Sequence, residues 1–344
     1  MQNIISPQKE LYYISMKVLY SGFADPSHSA FGGYHNIFNF PACEKILLSH
    51  NYFLGKLNRK YRLRRIPLGL LDLDTRRQRH KYDITHLFYG EITMIPFLPY
   101  TKDAKHKTVI TLHLDIEKQR FHKIFLKNLK SFDGIIVLST QQQEYYRSKH
   151  GIETTFIPHG FNTPIFNFKL PQDTHGKLID QSRINLITSG KNYRDFETLI
   201  KVADHFKDDN RLIFHMVGTP GDIKLRLAAF PNVRIYPRID NDEYYSLIKS
   251  CDYGFLPVTF ATANNALLEA QAIGIKSILP RIPGILDYAS EANIFYHDYT
   301  DLINIISSLK KSSISEDILS HSHKFHWDNI YTRLNEYYTE LLSK

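Results

Sequence analysis

Glu269 lies in the segment Asn264 to Tyr288, NNALLEAQAIGIKSILPRIPGILDY, whose residue types describe a ligand-binding helix and its exit. Thr262, Asn264 or Asn265 can cap the helix, and Gly274 can end it just past its last turn. The apolar run Ile275 to Leu279 then reads as a buried parallel strand, and Pro280 to Gly284 as the loop at its carboxyl end. A helix N-terminus beside such a loop is where α/β sheets hold phosphorylated ligands, because free N–H groups and the helix dipole face the anion. Glu269 follows within two turns, and its carboxylate can accept two hydrogen bonds from a vicinal diol such as that of a ribose. An ordinary amphipathic helix with a glutamate facing water fits the same letters.

Other residues invite a chemical reading. Lys191 and Arg194 follow Gly190 in Ser189–Asp195, SGKNYRD, and two cations just past a glycine can neutralise a diphosphate as its charge develops. A solvated helix start is the plain alternative. Gly32-Gly33 lets a backbone approach a phosphate or sugar closely, although the pair is not a G-x-G-x-x-G fingerprint. His113 ends an apolar run with Asp115 close behind, so it can meet a sugar hydroxyl at a strand's carboxyl end or serve the core. His86, His159 and His215 read as structural. Asp72-x-Asp74 resembles a metal-binding pair, but it stands in a basic stretch with no strand ahead of it and reads as surface.

These residues need a scaffold, and 344 residues suffice for two domains of ordinary size. A hydrophobic fraction of 43% and a charged fraction of 23% belong to a soluble globular chain. No apolar run approaches the roughly 18 residues of a membrane span. Residues 1–15 lack the pattern of a secretory signal. Cys43 and Cys251 are too few for a disulfide framework or a thiolate metal site. A cytoplasmic protein is the expectation.

The formal charge of +8 favours an anionic partner. It is concentrated at residues 51–82, where Lys56, Arg59, Lys60, Arg62, Arg64, Arg65, Arg76, Arg77, Arg79 and Lys81 face only Asp72 and Asp74. Tyrosines, phenylalanine and leucines are threaded through this stretch, as suits a surface lying on anionic lipid, while a solvated basic face over a core is equally consistent. Nucleic acid is not expected, because no recognition helix or aromatic β-platform accompanies the charge.

Along the chain, strand-like runs at Lys17–Ser21, Ile84–Phe88, Thr108–His113, Gly134–Ser139 and Thr154–Pro158 alternate with helical segments. A stretch from Phe161 to Arg183, rich in Asn, Pro, Gln, Asp and Thr, reads as a linker. Alternation resumes with strands at Ile184–Ser189, Leu212–Val217, Val233–Tyr236 and Tyr253–Pro257. Two successive α/β halves with parallel sheets follow from this pattern. The tail Phe325–Leu342 spaces its aromatic and aliphatic residues as one face of a helix.

Three segments, in order, resemble retaining glycosyltransferases of the GT-B fold, especially glycosyltransferase family 4. They are Phe132–Ser139 (FDGIIVLS), Phe156–Asn162 (FIPHGFN) and Leu268–Gly274 (LEAQAIG). The resemblance runs from about Met16 to the end. It implies an α/β chain of two Rossmann-like domains facing each other across a cleft. The first would be residues 1–162 with a returning tail, 327–344, and would take the acceptor; the second, 163–326, would take the donor.

It further implies that Glu269 is the second acid of a Glu-x7-Glu motif and holds the nucleotide ribose. Lys191 and Arg194 would hold the diphosphate, His113 would touch the donor sugar, and Gly32, Gly33 and Gly190 would line the donor site. Asn265, Ala266, Leu267 and Leu268 would offer backbone N–H groups. The first acid of the motif would fall at Ala261, where the chain departs from the pattern. The expected substrates are a nucleoside diphosphate sugar, UDP- or GDP-linked, and a glycan or lipid-linked acceptor, as in cell-surface polysaccharide synthesis. No cofactor and no metal are expected, and contact with the inner membrane face through residues 51–82 is a further expectation. A GT-B sugar-nucleotide epimerase and a non-catalytic partner subunit or glycolipid-binding protein are the alternatives.

Overall fold

A computed structural model describes residues 16–23, 32–40, 43–47, 65–115, 117, 121–162, 179–237 and 239–344. The leader at 1–15, most of the linker and the basic stretch from 51 to 64 lie outside them. Twelve strands form two parallel six-stranded sheets among the described residues. The first runs in the order β2-β1-β3-β4-β5-β6, from Val18–Gly22 (β1), Cys43–Leu47 (β2), Ile84–Phe88 (β3), Lys107–Leu112 (β4), Gly134–Val137 (β5) and Thr155–Phe156 (β6). The second runs β12-β11-β10-β7-β8-β9, from Ile184–Ser189 (β7), Leu212–Val217 (β8), Val233–Tyr236 (β9), Tyr253–Phe255 (β10), Ser277–Pro280 (β11) and Ile294–Tyr296 (β12). Strands β2 and β12 carry no sequence signal strong enough to stand out beside these runs.

The sheets are parallel because their strands alternate with helices that begin on local caps. Asp195 accepts the N–H of Thr198 at 3.0 Å to start Phe196–His205, and Asp240 accepts that of Glu243 at 2.8 Å to start Asn241–Ser250. Asn264 caps Asn265–Ile273 through the N–H of Leu267, and Gly274 ends that helix at φ 85°. The following strand starts two residues later than the apolar run suggests, at Ser277, since Ile275 still turns its N–H back to Ala270. Pro280 to Gly284 is not wholly a loop: Pro283 opens a short helix, Pro283–Leu286, where its missing N–H costs nothing.

The linker reading fails at its edge. Phe161 is fully buried and exchanges backbone hydrogen bonds with Phe325 and Trp327. The tail forms the helix Trp327–Ser343, whose Trp327, Ile330, Leu334 and Tyr338 enter the core beneath β1 and β3. Asp72 is likewise no surface residue. It is 1% exposed on the helix Arg65–Gln78 and accepts hydrogen bonds from Tyr100 Oη at 2.5 Å, the Ile95 N–H and Arg76 Nε. Its three donors satisfy the carboxylate inside the fold, which a solvated aspartate would not need. No helix among the described residues is long and apolar enough to cross a membrane.

Candidate active site

Strand order reverses between β7 and β10 in the second sheet, and open α/β sheets bind ligands outside the carboxyl ends of strands at such a reversal. The loops leaving these strands are pinned together. Arg194 and Val258 form an isolated antiparallel bridge, the Asp195 N–H donates to Pro257 O at 3.0 Å, and the Thr259 N–H to Tyr193 O at 3.0 Å. A cavity of about 940 Å³ opens there and extends to the carboxyl ends of β1, β3 and β4, where Phe23, Tyr89 and His113 line it. That volume suits a ligand of nucleotide-sugar size.

Glu269 lies on the first turns of Asn265–Ile273 at the cavity wall and is 3% exposed. It does not face water. Tyr244 Oη donates to Glu269 Oε2 at 2.8 Å, and Tyr245 Oη donates to Oε1 at 3.4 Å. Ser189 Oγ is 2.8 Å from Tyr244 Oη and supplies the proton that this arrangement leaves to it. Burial and the Glu269 charge push the Tyr244 hydroxyl well above the ordinary phenol range, so it remains a donor.

Arg194 folds back over its own loop. Its Nε donates to Ser189 O at 2.9 Å, and one terminal nitrogen lies 3.3 Å from Asn264 Oδ1, the capping oxygen. Burial lowers its pKa to about 10, partly opposed by Tyr244 and Glu269, and it stays cationic at neutral pH. Gly190 holds a left-handed backbone, φ 79°, that a side chain would strain, while a Cβ there would meet the guanidinium only at an ordinary 3.4 Å. Its N–H is already given to Val217 O at 3.0 Å, so its part is the turn of the backbone rather than donation. Lys191 is exposed at the rim, and Lys224 reaches the same cavity from the helix Gly221–Leu227.

Two of the four helix amides singled out in the sequence are committed within the protein. The Leu267 N–H donates to Asn264 Oδ1 and that of Leu268 to Asn264 O, and both side chains are fully buried. Asn265 and Ala266 line the cavity with their first-turn amides beyond the reach of the i→i−4 ladder. Gly32 and Gly33 are not among its lining residues; Gly33 O instead accepts two hydrogen bonds from Asn36 to start the 3-10 turn Tyr34–Asn39. Ala261 does line it, 3% exposed, and offers only a methyl.

His113 is buried against the Tyr89 ring, with centroids 4.0 Å apart, and its backbone ties the two sheets together. Thr262 Oγ1 donates to His113 O at 2.8 Å, while the N–H groups of His113 and Leu114 both donate to Glu91 Oε1 at 2.7 Å. Glu91 escaped sequence reading because it lies in a four-residue turn 22 positions earlier. Burial raises its carboxyl to about pKa 7 despite those amides. Tyr89 and Tyr193 hold left-handed backbones, φ 55° and 56°, on opposite walls of the cavity. Such strain in non-glycine residues collects where a ligand is handled. Tyr244 and Lys224 also went unread, since an aromatic pair on a helix looks like core and a lone lysine like surface.

Neither the protein-family models nor the curated proteins include a match to this chain. Solved structures do match. Sucrose-phosphate synthase from Thermosynechococcus elongatus is 14% identical with a TM-score of 0.65, over 95% of this chain and 89% of that one. Anabaena HepE in complex with UDP-glucose is 16% identical with a TM-score of 0.66, over 95% and 99%. The N-terminal domain of Candida albicans trehalose-6-phosphate phosphatase is 13% identical with a TM-score of 0.68, over 96% and 97%. At these identities the likeness establishes the fold, and that fold is GT-B: two parallel α/β sheets with their helices, as in these structures.

Proposed function

We propose that this protein is a glycosyltransferase that moves a sugar from a nucleoside diphosphate sugar to a glycan or lipid-linked acceptor with retention. The carrying observation is the meeting of Glu269, Arg194 and the free first-turn amides at the β7/β10 reversal, opposite His113. In this reading a ribose diol takes over the hydrogen bonds that the Tyr244 and Tyr245 hydroxyls make to Glu269. Arg194, already poised over Gly190, and Lys191 at the rim stabilise the leaving diphosphate as charge builds. His113 contacts the donor sugar from the first sheet. Departure and attack on one face would let the leaving phosphate take the acceptor proton, so the protein's share is positioning and charge stabilisation. A UDP-sugar is favoured over a GDP-sugar, because Anabaena HepE was solved with UDP-glucose on the same fold.

The division proposed for the chain is 1–162 plus the tail 327–344 for the acceptor, and 163–326 for the donor. Trp327 and Tyr338 in the first sheet's core support the return of the tail. Contact with an anionic membrane is supported by Leu70 and Leu73, 58% and 48% exposed on the helix that also carries the exposed Arg77, itself paired with Asp74. Arg76 and Arg79 contribute less, since they are engaged with carbonyl oxygens and the Tyr100 ring. Co-sedimentation with vesicles that is indifferent to anionic lipid would remove this part of the proposal.

Ala261 favours a second reading, a non-catalytic subunit that binds a nucleotide sugar, since position 261 offers the cavity a methyl in place of a carboxylate. The test is saturation-transfer NMR against UDP-, GDP-, dTDP- and ADP-sugars, with Glu269→Gln in parallel, followed by turnover assays. We expect transfer to a UDP-sugar, and binding weakened about tenfold or more in the variant through loss of charged hydrogen bonds. Equal binding in the variant, or none in the wild type, would refute the assignment. Binding without turnover on any acceptor would select the second reading.

A further inference from the structure

We infer that His80, Asp103 and His106 form a site for one divalent transition cation of the zinc type, remote from the cavity. Among the described residues these three bring one ligand atom each to within 4.8 Å of one another. His80 Nδ1 and Asp103 Oδ2 are 3.8 Å apart, and the two imidazole rings meet edge to face with centroids at 5.4 Å. Zinc bonds of about 2.0–2.2 Å in a tetrahedron separate neighbouring ligands by about 3.4 Å, so small side-chain rotations close the site.

Two of the ligands are already oriented. His106 Nδ1 is 2.8 Å from Tyr82 O, and a carbonyl can only accept, so Nδ1 carries the proton and Nε2 keeps its lone pair for a metal. Asp103 Oδ1 accepts the Lys105 N–H at 2.8 Å, which leaves Oδ2 for the cation. The Arg79 guanidinium, whose charge opposes a cation, is drawn inward to Thr101 O and Thr108 Oγ1. Two imidazoles and a carboxylate suit zinc, cobalt or nickel better than magnesium or calcium, which prefer all-oxygen sets.

The position defines the role. His80 is in the turn Arg79–Lys81 before β3, and Asp103 and His106 are in the loop before β4. Both lie at the amino ends of these strands, whereas His113 and the cavity lie at the carboxyl ends. A bound cation therefore clamps the end of the helix Arg65–Gln78 to the loop entering β4 and takes no part in chemistry at Glu269.

The test is calorimetric titration of chelator-treated full-length protein with Zn2+, and with Co2+ followed by its visible absorption. His106→Ala, Asp103→Asn and His80→Asn are titrated in parallel, with circular dichroism to confirm folding. His80 is 55% exposed at its side chain, so at least that variant keeps the fold. One equivalent should bind wild type, with affinity falling about tenfold or more in each folded variant. Zn2+ should raise the melting temperature of wild type alone and leave nucleotide-sugar binding unchanged. No stoichiometric binding to wild type, or unchanged stoichiometry and affinity in the folded variants, would overturn the proposal.

Discussion

Glu91 shows how one buried carboxylate can govern a site without entering it. Its Oε1 fixes the turn that carries His113, while Oε2 is buried without a hydrogen-bond partner. The carboxyl is lifted by burial to about pKa 7, from about 4.5 in the unfolded chain. The folded protein therefore holds a proton that the unfolded chain has released, and this group's contribution to stability is full below pH 4.5 and lost as pH rises to 7. The change is on the order of 3 kcal/mol for a shift of this size. Glu91→Gln keeps an acceptor for both amides and cannot ionise. Relative to the variant, wild type should lose stability by up to that amount between pH 4.5 and 7, read from urea midpoints at each pH. Parallel profiles would show that Glu91 does not titrate in this range. Nothing in the letters GEIT announces this role, because it depends on amides far along the chain. Glu269 is legible by contrast, since its cap, helix and glycine stop are all local.

At the scale of elements, the approach of Pro283–Leu286 to the loop before Asn265–Ile273 shapes the cavity wall. Gly284 packs directly on the Ala261 backbone: a Cβ there would lie 1.8 Å from Ala261 O, a distance no side-chain rotation relieves. Gly284→Ala must push the 261 loop outward, and with it the Thr262 hydroxyl that holds His113 O. Overpacking of this kind costs typically about 1–3 kcal/mol. We expect a lowered urea midpoint together with weakened nucleotide-sugar binding. A variant with wild-type stability and binding would show that the contact is not tight. The Pro-Gly pair is visible in the sequence as a turn, but its helix and its partner are not, because the close approach involves a backbone 23 residues away. The long apolar strands were readable for the opposite reason: buried parallel strands advertise themselves by composition. The short edge strands β2 and β12 take their pairing from neighbours, and local pattern does not reveal them.

At the scale of the molecule, the chain's last helix completes the core of the sheet that its first strand begins. Tyr338 Oη lies 3.0 Å from Tyr20 Oη and 2.6 Å from His86 Nδ1, while His86 Nε2 lies 2.6 Å from Thr111 Oγ1. One buried network thus joins β1, β3, β4 and the tail. The tail's helical period is plain in the sequence, but the residue it would meet is not, since His86 looks like any core histidine. Burial drives the His86 pKa down to about 3, so the folded protein keeps it neutral while the unfolded chain protonates near 6.5. Its contribution is present above pH 6.5 and is lost as pH falls towards 3, opposite in sign to that of Glu91. Tyr338→Phe removes the hydroxyl and strands His86 Nδ1 in the core, at a cost of about 1–3 kcal/mol. The variant starts from lower stability, so it should unfold at a higher pH than wild type in an acid titration followed by fluorescence. Trp327→Ala, which opens a void in the same core, should lower stability by about 3–5 kcal/mol at neutral pH. It leaves His86 paired, and its loss should therefore be nearly independent of pH. Only a tail that is part of the first sheet's core produces both results; a tail docked loosely on the surface would give small, pH-independent losses for each.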